Sequence, residues 1–286
     1  MPTAAKIPIH DFVKDTKDSV PFRYIPLGAF THYDFSEPHR HNYYEIFFFT
    51  KGGGSHFIDF NDYPIEDNTI HFVSPGQVHM IRRAPESYGS IVLFSRDFFH
   101  PEADVHNPLF NFPFLNNSQY PMLPTSKAEF DEFAPMLRQI EQETERNHDV
   151  YMEILRSCVK IILLKCLQLF DSKHPDHKLK HGTVFNSFRE MIEKEYRTQR
   201  QPGYYAEKLN ITEKRLNSIC KENTGENVGN YIKGRILLET KRLLVNTDYS
   251  VKEIAAFLGF DDPAYFNRFF KTNTGITAGD FRKNGN

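Results

Sequence analysis

The sequence predicts an α+β multidomain chain: an N-terminal antiparallel β-barrel, a helical pair, and an all-α C-terminal region. Three observations carry this. The first hundred residues hold short apolar or alternating runs separated by turn-forming clusters. The middle places apolar residues at spacings of three and four, and the end writes one helical pattern twice. At 286 residues there is room for two proper cores.

The strand candidates are YYEIFFFT (Tyr43 to Thr50), SHFIDF (Ser55 to Phe60), TIHFVSPG (Thr69 to Gly76) and GSIVLFS (Gly89 to Ser95), separated by GGG, NDYP, PGQ and APES. Runs of that length, punctuated by Gly, Pro, Asn and Asp, read as an antiparallel sandwich or small barrel. Within HRHNYYEIFFFTKGG, His39, His41 and Glu45 share the parity of Phe47 and Phe49. On one extended strand all five would point to one face.

A helical pair follows. Lys127 to Arg146 places Phe130, Phe133, Leu137 and Ile140 at helical spacing, interrupted by Pro135, and Asp149 to Phe170 carries Tyr151, Ile154, Leu155, Val159, Ile162, Leu163, Cys166 and Leu169. The second helix is apolar around much of its circumference, more than a small barrel needs as cover. It packs either on a partner or on the barrel itself. The stretch Asp171 to Thr183 (DSKHPDHKLKHGT) is polar, contains Pro and Gly, and reads as a linker. Phe185, Phe188, Met191 and Ile192 then restart helical spacing.

The repeat lies between Asn210 and Gly225 (NITEKRLNSICKENTG) and between Gly259 and Gly275 (GFDDPAYFNRFFKTNTG). Counting back from each Gly pairs Lys221 with Lys271, Ile219 with Phe269, Asn217 with Asn267 and Leu216 with Phe266. Ala206 and Ala255 are small enough to let two helices approach, and Asn210 and Gly259 tolerate positive φ where the first helix must stop. Thr212 and Asp261 are expected to cap the second helix. Each copy therefore reads as a helix-turn-helix, whose second helix suits a DNA major groove. The stretch joining them, Asn227 to Asn246, has the apolar spacing of one amphipathic helix. About twenty residues at 1.5 Å each span roughly 30 Å, against the roughly 34 Å between successive major-groove faces.

From about Phe185 to Lys283 these residues resemble the DNA-binding region of AraC-type (AraC/XylS) transcriptional regulators. The second unit, SVKEIAAFLGFDDPAYFNRFFKTNTGITAGDFRK, carries the most specific part of that resemblance; Ala278 stands where the family usually has Pro, and Asn210 where Gly is commoner. The resemblance implies that Lys214, Asn217 and Ser218 in the first unit, and Pro263, Ala264, Asn267 and Arg268 in the second, face the bases. Arg and Lys suit guanine edges and Asn suits adenine, while Ala and Pro offer apolar contact. Lys221, Arg235, Lys241 and Lys271 are expected at phosphates.

The first part resembles the cupin fold over roughly Phe22 to Phe98. His39, His41, Glu45 and Gly52 match its first motif, and Pro75, Gly76 and His79 approximate its second. AraC-type regulators commonly carry such a cupin-like barrel as a sensor. The resemblance therefore implies that His39, His41, Glu45 and His79 line an effector pocket; Arg23, His32 and Tyr43 are other polar groups nearby in sequence, which order in the chain does not rank. No cofactor is required on this reading. Three imidazoles and a carboxylate could nonetheless hold a divalent transition metal.

Composition agrees. From Thr183 onward there are 17 Lys and Arg against 13 Asp and Glu, and in the remainder 18 against 24, so a mildly basic half follows an acidic one. All 13 histidines precede Thr183, which assigns metal or titration chemistry to the first half. No apolar run is long enough for a membrane span, the amino terminus lacks a secretory core, and three cysteines suit reduced buried thiols. The expected location is the cytoplasm.

The resulting expectation is a cupin-like sensor barrel over 1–125, a dimerising helical pair over 126–171, a linker over 172–183 and an AraC-type DNA-binding domain over 184–286 with tandem helix-turn-helix motifs. The chain would be a sequence-specific, non-enzymatic transcription regulator that binds double-stranded DNA as a homodimer under control of a small-molecule effector. The alternative is a metal-dependent cupin dioxygenase or isomerase with accessory helices.

Overall fold

The computed structural model describes residues 9–10, 21–28, 37–95, 98–99, 112–115, 120–146, 150–175 and 183–284. Contacts divide the chain into two units, one within 8–177 and one within 178–286.

Among the described residues the first unit holds ten strands: β1 (Ile9–His10), β2 (Phe22–Leu27), β3 (His39–His41), β4 (Tyr44–Lys51), β5 (Gly54–Ile58), β6 (Asn61–Pro64), β7 (Thr69–Val73), β8 (Val78–Arg83), β9 (Tyr88–Phe94) and β10 (Met122–Pro124). They form two five-stranded sheets, β1-β3-β8-β5-β6 and β10-β7-β4-β9-β2. Pairing is antiparallel except between β1 and β3. His39 and His41 therefore lie in one sheet and Glu45 in the other, which corrects the single-strand reading of that segment. Asn42 and Tyr43 carry the chain across.

The run Tyr44 to Phe49 is buried on both faces, for a reason that alternation makes plain. Phe47 and Phe49 pack with Ile58, Val73, Ile81, Ile91 and Leu93 between the sheets. Tyr44, Ile46 and Phe48 point the other way, into a core shared with the helices. Phe48 meets the rings of Phe130 and Phe133 at centroid distances of 6.4 and 5.6 Å. Full burial of one such side chain contributes about 1.5–3 kcal/mol. Gly52 is required by close approach: a Cβ there would lie 2.4 Å from the Ile65 carbonyl oxygen.

Helix α1 (Lys127–Asp131) starts at a capping box made by Ser126 and Glu129. The chain breaks at Glu132 and Phe133, and α2 (Ala134–Arg146) resumes with Pro135 in its first turn, where a missing N–H costs no helical bond. Helix α3 (Tyr151–Lys173) buries Leu155, Val159, Ile162, Leu163, Cys166 and Phe170 against the sheet's outer side. Packing on the barrel thus accounts for much of its apolar surface. Ile161 and Leu164 remain 45% and 49% exposed.

The second unit is helical: α4 (Thr183–Glu195), α5 (Pro202–Lys208), α6 (Glu213–Thr224), α7 (Val228–Asn246), α8 (Val251–Phe257), α9 (Pro263–Thr274) and α10 (Ala278–Asn284). Asn210 (φ 53°) and Gly259 (φ 75°) occupy the left-handed region between α5 and α6 and between α8 and α9. Thr212 caps α6 by accepting from Arg215 N–H. Asp262, not Asp261, caps α9, accepting from the N–H groups of Ala264 and Tyr265 at 2.8 and 3.1 Å. Only the later residue has its carboxylate within reach of the first-turn donors. Ala206, Ala255, Leu216, Ile219, Phe266 and Phe270 form one core with Ile232, Ile236, Leu243 and Leu244 of α7. Arg200, between α4 and α5, donates to the carbonyls of Leu258 and Gly259 and lies 3.7 Å from the Phe260 ring centroid.

Candidate functional site

Three strands bring the first cluster together from both sheets. His39 on β3 is directly opposite His79 on β8, and their ring centroids are 4.1 Å apart. Facing them is Glu45 on β4. His41 Nε2 lies 3.1 Å from His79 Nε2 and 3.2 Å from Glu45 Oε2, and His79 Nε2 lies 3.5 Å from the same oxygen. All four residues are 1% exposed or less. The structure thus brings His39, His41, Glu45 and His79 together. Tyr43, also buried, stacks on His41 with centroids 4.1 Å apart, Arg23 lies on β2, and His32 falls outside the described residues.

Backbone carbonyls orient two of the imidazoles. His41 Nδ1 is 2.7 Å from the Tyr43 oxygen and His39 Nδ1 is 3.1 Å from the Glu37 oxygen. A carbonyl only accepts, so each Nδ1 carries a proton and each ring turns its Nε2 the other way. Tetrahedral metal bonds of 2.0–2.1 Å place neighbouring donors about 3.3 Å apart, close to the 3.1, 3.2 and 3.5 Å separations of His41, Glu45 and His79. Among the described residues these three form the group whose ligand atoms lie within 4.8 Å of one another.

Two more buried histidines continue the cluster, and neither belongs to the motif spacing. His56 Nε2 on β5 is 3.1 Å from His79 Nδ1, and His56 Nδ1 is 3.2 Å from His71 Nδ1 on β7. Both rings are fully enclosed and lie parallel. Strand parity was the available signal: His56 shares it with Ile58 and His71 with Val73, both inward-facing. Burial pushes the His71 imidazole down to about 3. Burial first, then the neighbouring histidines, hold His56 well below its ordinary value. Both are neutral at physiological pH.

The second site is the pair of exposed helices α6 and α9. Lys214, Ser218 and Lys221 are exposed on α6, as are Ala264, Asn267, Arg268 and Lys271 on α9, with Pro263 half-buried at its start. Arg268 rests 3.7 Å from Asp262 in a solvent-exposed pair. Ser218 Oγ donates to Glu222. Asn217 is half-buried and its side-chain oxygen accepts from Val228 N–H at 3.0 Å, tying α6 to the start of α7. Its amide hydrogens are what remain to meet a base. Tyr265, 54% exposed on α9, was not among the residues expected to face DNA.

Two expected phosphate contacts sit differently. Arg235 does not reach outward: its Nε donates to Glu193 at 2.8 Å and its Nη1 to Glu239 at 3.1 Å, and its guanidinium covers the Tyr196 ring at 4.2 Å. A charge placed on the α4-facing side of α7 is held by carboxylates, and its role is to join those helices. Lys241 is half-buried, with Nζ 5.8 Å from the Phe281 ring centroid.

Comparison with known proteins follows this division. Residues 26–149 match the AraC-like ligand binding domain, and residues 205–284 match a helix-turn-helix domain. The HTH-type transcriptional activator RhaR of Yersinia pseudotuberculosis is 21% identical over 248 residues, covering 86% of this chain and 84% of the relative. RhaR of Mannheimia succiniciproducens is 22% identical over 248 residues, covering 85% and 86%. Among solved structures, ToxT from Vibrio cholerae aligns over 91% of this chain and 94% of its own at 13% identity and a TM-score of 0.41. Among the described residues no helix is long and apolar enough to cross a membrane. With an AraC-like ligand binding domain matched ahead of a helix-turn-helix domain, and transcriptional activators similar along most of its length, the chain carries the two domains of an AraC-type transcription regulator.

Proposed function

We propose that this regulator reads DNA through α6 and α9 together, and that occupancy of the buried His/Glu cluster controls the reading. The supporting observation is the pairing of two exposed recognition helices with a fully enclosed polar cluster that barrel packing alone does not call for. Lys214, Ser218, Asn267 and Arg268, with the amide of Asn217 and the apolar Pro263 and Ala264, are the base-reading set; Lys221, Lys241 and Lys271 meet phosphates. On this reading the division of labour is a sensor over 1–125, a dimerising pair over 126–171, a linker over 172–183 and a reader over 184–286. Residues 176–182 of that linker lie outside the described residues. The protein works in the cytoplasm and without catalysis, a reading supported by relatives named as activators. Ile161 and Leu164, exposed on α3, support a homodimer through that helix.

The effector is a small molecule with polar groups for His39, His41, Glu45 and His79. A second reading is favoured by the donor separations: the ligand is a divalent transition metal held by His41, His79 and Glu45, with His39 alongside. A ligand shifts the regulator only by binding one arrangement more tightly, and about 1.4 kcal/mol of difference changes the ratio tenfold.

The test is DNA selection and footprinting with the full chain, followed by Arg268→Ala. Loss of about 1–3 kcal/mol with relaxed preference at one base pair is expected. Equal losses on specific and random duplexes would remove Arg268 from the reading set.

A further inference from the structure

The stretch joining α4 to α5, residues 196–201, belongs by contact to the other helix-turn-helix. Arg200 reaches from it to the turn between α8 and α9, where its Nη2 donates to the Leu258 carbonyl at 2.7 Å and to the Gly259 carbonyl at 2.8 Å. Its guanidinium carbon lies 3.7 Å from the Phe260 ring centroid. Arg197 places its own guanidinium 4.8 Å from the Phe257 ring at the end of α8. The backbones meet as well: a Cβ on Gly259 would lie 2.1 Å from the Arg197 carbonyl oxygen.

The duplication explains why these arginines come from outside the second motif. Counting back from each turn pairs Leu209 with Leu258 and Lys208 with Phe257. The first motif carries its own cation, Lys208, in the last turn of α5, whereas α8 has no basic residue there. A helix C-terminus leaves carbonyls unpartnered and carries partial negative charge, which a cation satisfies. Arg200 brings to the end of α8 the charge that Lys208 brings to the end of α5.

Beyond Phe260 the contact runs to the recognition helix. The buried Phe260 ring meets Tyr265, Phe266 and Phe269 of α9 at centroid distances of 5.9, 5.1 and 5.4 Å. At its other end the stretch leads into α5, whose Tyr205 and Ala206 share a core with Leu216 and Ile219 of α6. The two recognition helices are therefore joined twice, through α7 and through this short brace. A single connecting helix sets a distance and leaves each motif free to pivot at its ends. A second attachment away from that axis removes the pivot.

We propose that Arg200, supported by Arg197, is a positioning residue for DNA reading: it fixes the angle between α6 and α9 and so makes the regulator strict about the separation of the two segments they read. This rests on the joint reading by α6 and α9 given above. One inserted base pair moves the second segment by about 3.4 Å and turns it by about 35°. Hydrogen bonds of about 3 Å do not survive such a shift unless the helices can follow it.

The experiment measures the affinity of the full chain for the duplex that selection yields, and for duplexes with one base pair inserted or deleted between the two footprinted segments. The parent should lose about tenfold or more on the altered duplexes, the cost of at least one mismatched base pair. Arg200→Ala should bind the selected duplex more weakly and lose most of that discrimination. A variant that merely folds less well would bind every duplex in the same smaller proportion, leaving the ratio untouched. Arg200→Lys keeps the charge and loses the flat face over Phe260, so its ratio should fall between the two, and it carries the test if Arg200→Ala does not fold. An unchanged ratio in the folded variants overturns the brace and leaves the joint reading standing. If the parent itself ignores the change of spacing, the joint reading fails and the brace with it.

Discussion

Asp262 holds the start of a recognition helix and also neighbours a base-reading side chain, and two substitutions separate these roles. Its carboxylate accepts from Ala264 N–H at 2.8 Å and Tyr265 N–H at 3.1 Å, and lies 3.7 Å from Arg268. Asp262→Ala removes both cap bonds. Ala264 and Tyr265 are exposed, so water takes over their N–H groups and the loss stays near the typical cap value of about 1 kcal/mol. The lost interaction with the helix dipole adds about 0.5 kcal/mol, for a total of about 1.5. Asp262→Asn keeps a side-chain oxygen in place and loses the dipole part alone. Urea denaturation of the full chain, followed through the transition of the helical unit, should move its midpoint by about 0.7 M for Ala and about 0.2 M for Asn, taking a slope of about 2 kcal/mol per molar. Both variants should bind DNA at least as tightly as the parent once folded, because each removes a negative charge beside Arg268. Equal destabilisation by Ala and Asn would show that the charge, not the cap, holds α9. No shift with either would mean that Asp262 does not start the helix at all.

Other expectations follow from the same structure. Gly259→Ala places a Cβ 2.1 Å from the Arg197 carbonyl oxygen at φ 75°, and should cost more than about 2 kcal/mol; Gly225→Ala, where nothing lies within 4 Å, should cost about 1. Equal costs in a denaturation series would remove steric contact as the cause. Because burial lowers His71 from 6.5 to about 3, the unfolded chain binds a proton there that the folded one refuses. Stability should therefore be flat above pH 6.5 and fall by about 1.4 kcal/mol per pH unit from this residue between pH 6.5 and 3. His71→Phe should flatten that slope, and an unchanged slope would contradict the assignment. Leu164→Asp should convert a dimer to a monomer by sedimentation with helical content intact. A parent that sediments as a monomer at tens of micromolar would refute the α3 interface.

Helical parts were the more legible because their signals are redundant. Asn227 to Asn246 gave a clear period, and α7 spans Val228–Asn246, with Asn227 found to be its cap. The duplicated turn was readable because Asn210 and Gly259 sit where positive φ is needed. Strands β2, β6 and β8 were not picked out: Pro26 and Pro64 interrupt two of them, and VHMIRR ends in two arginines. The histidine cluster was half legible. His39, His41, Glu45 and His79 stand at motif spacing, whereas His56 and His71 join through pairing across two sheets, which residue order does not encode. Arg235 was misplaced for a related reason: periodicity gives a helix face but not the neighbour, and here the neighbour is acidic α4.

Strand β4 is a party wall. Glu45 faces the buried histidine cluster while Tyr44 and Ile46, one peptide away on either side, bear on the layer beneath α2 and α3. A strand cannot tilt one neighbour without tilting the next, so any tug on that carboxylate is felt on the far side within a single residue. From the histidine cluster to the outer layer the separation is the thickness of one backbone.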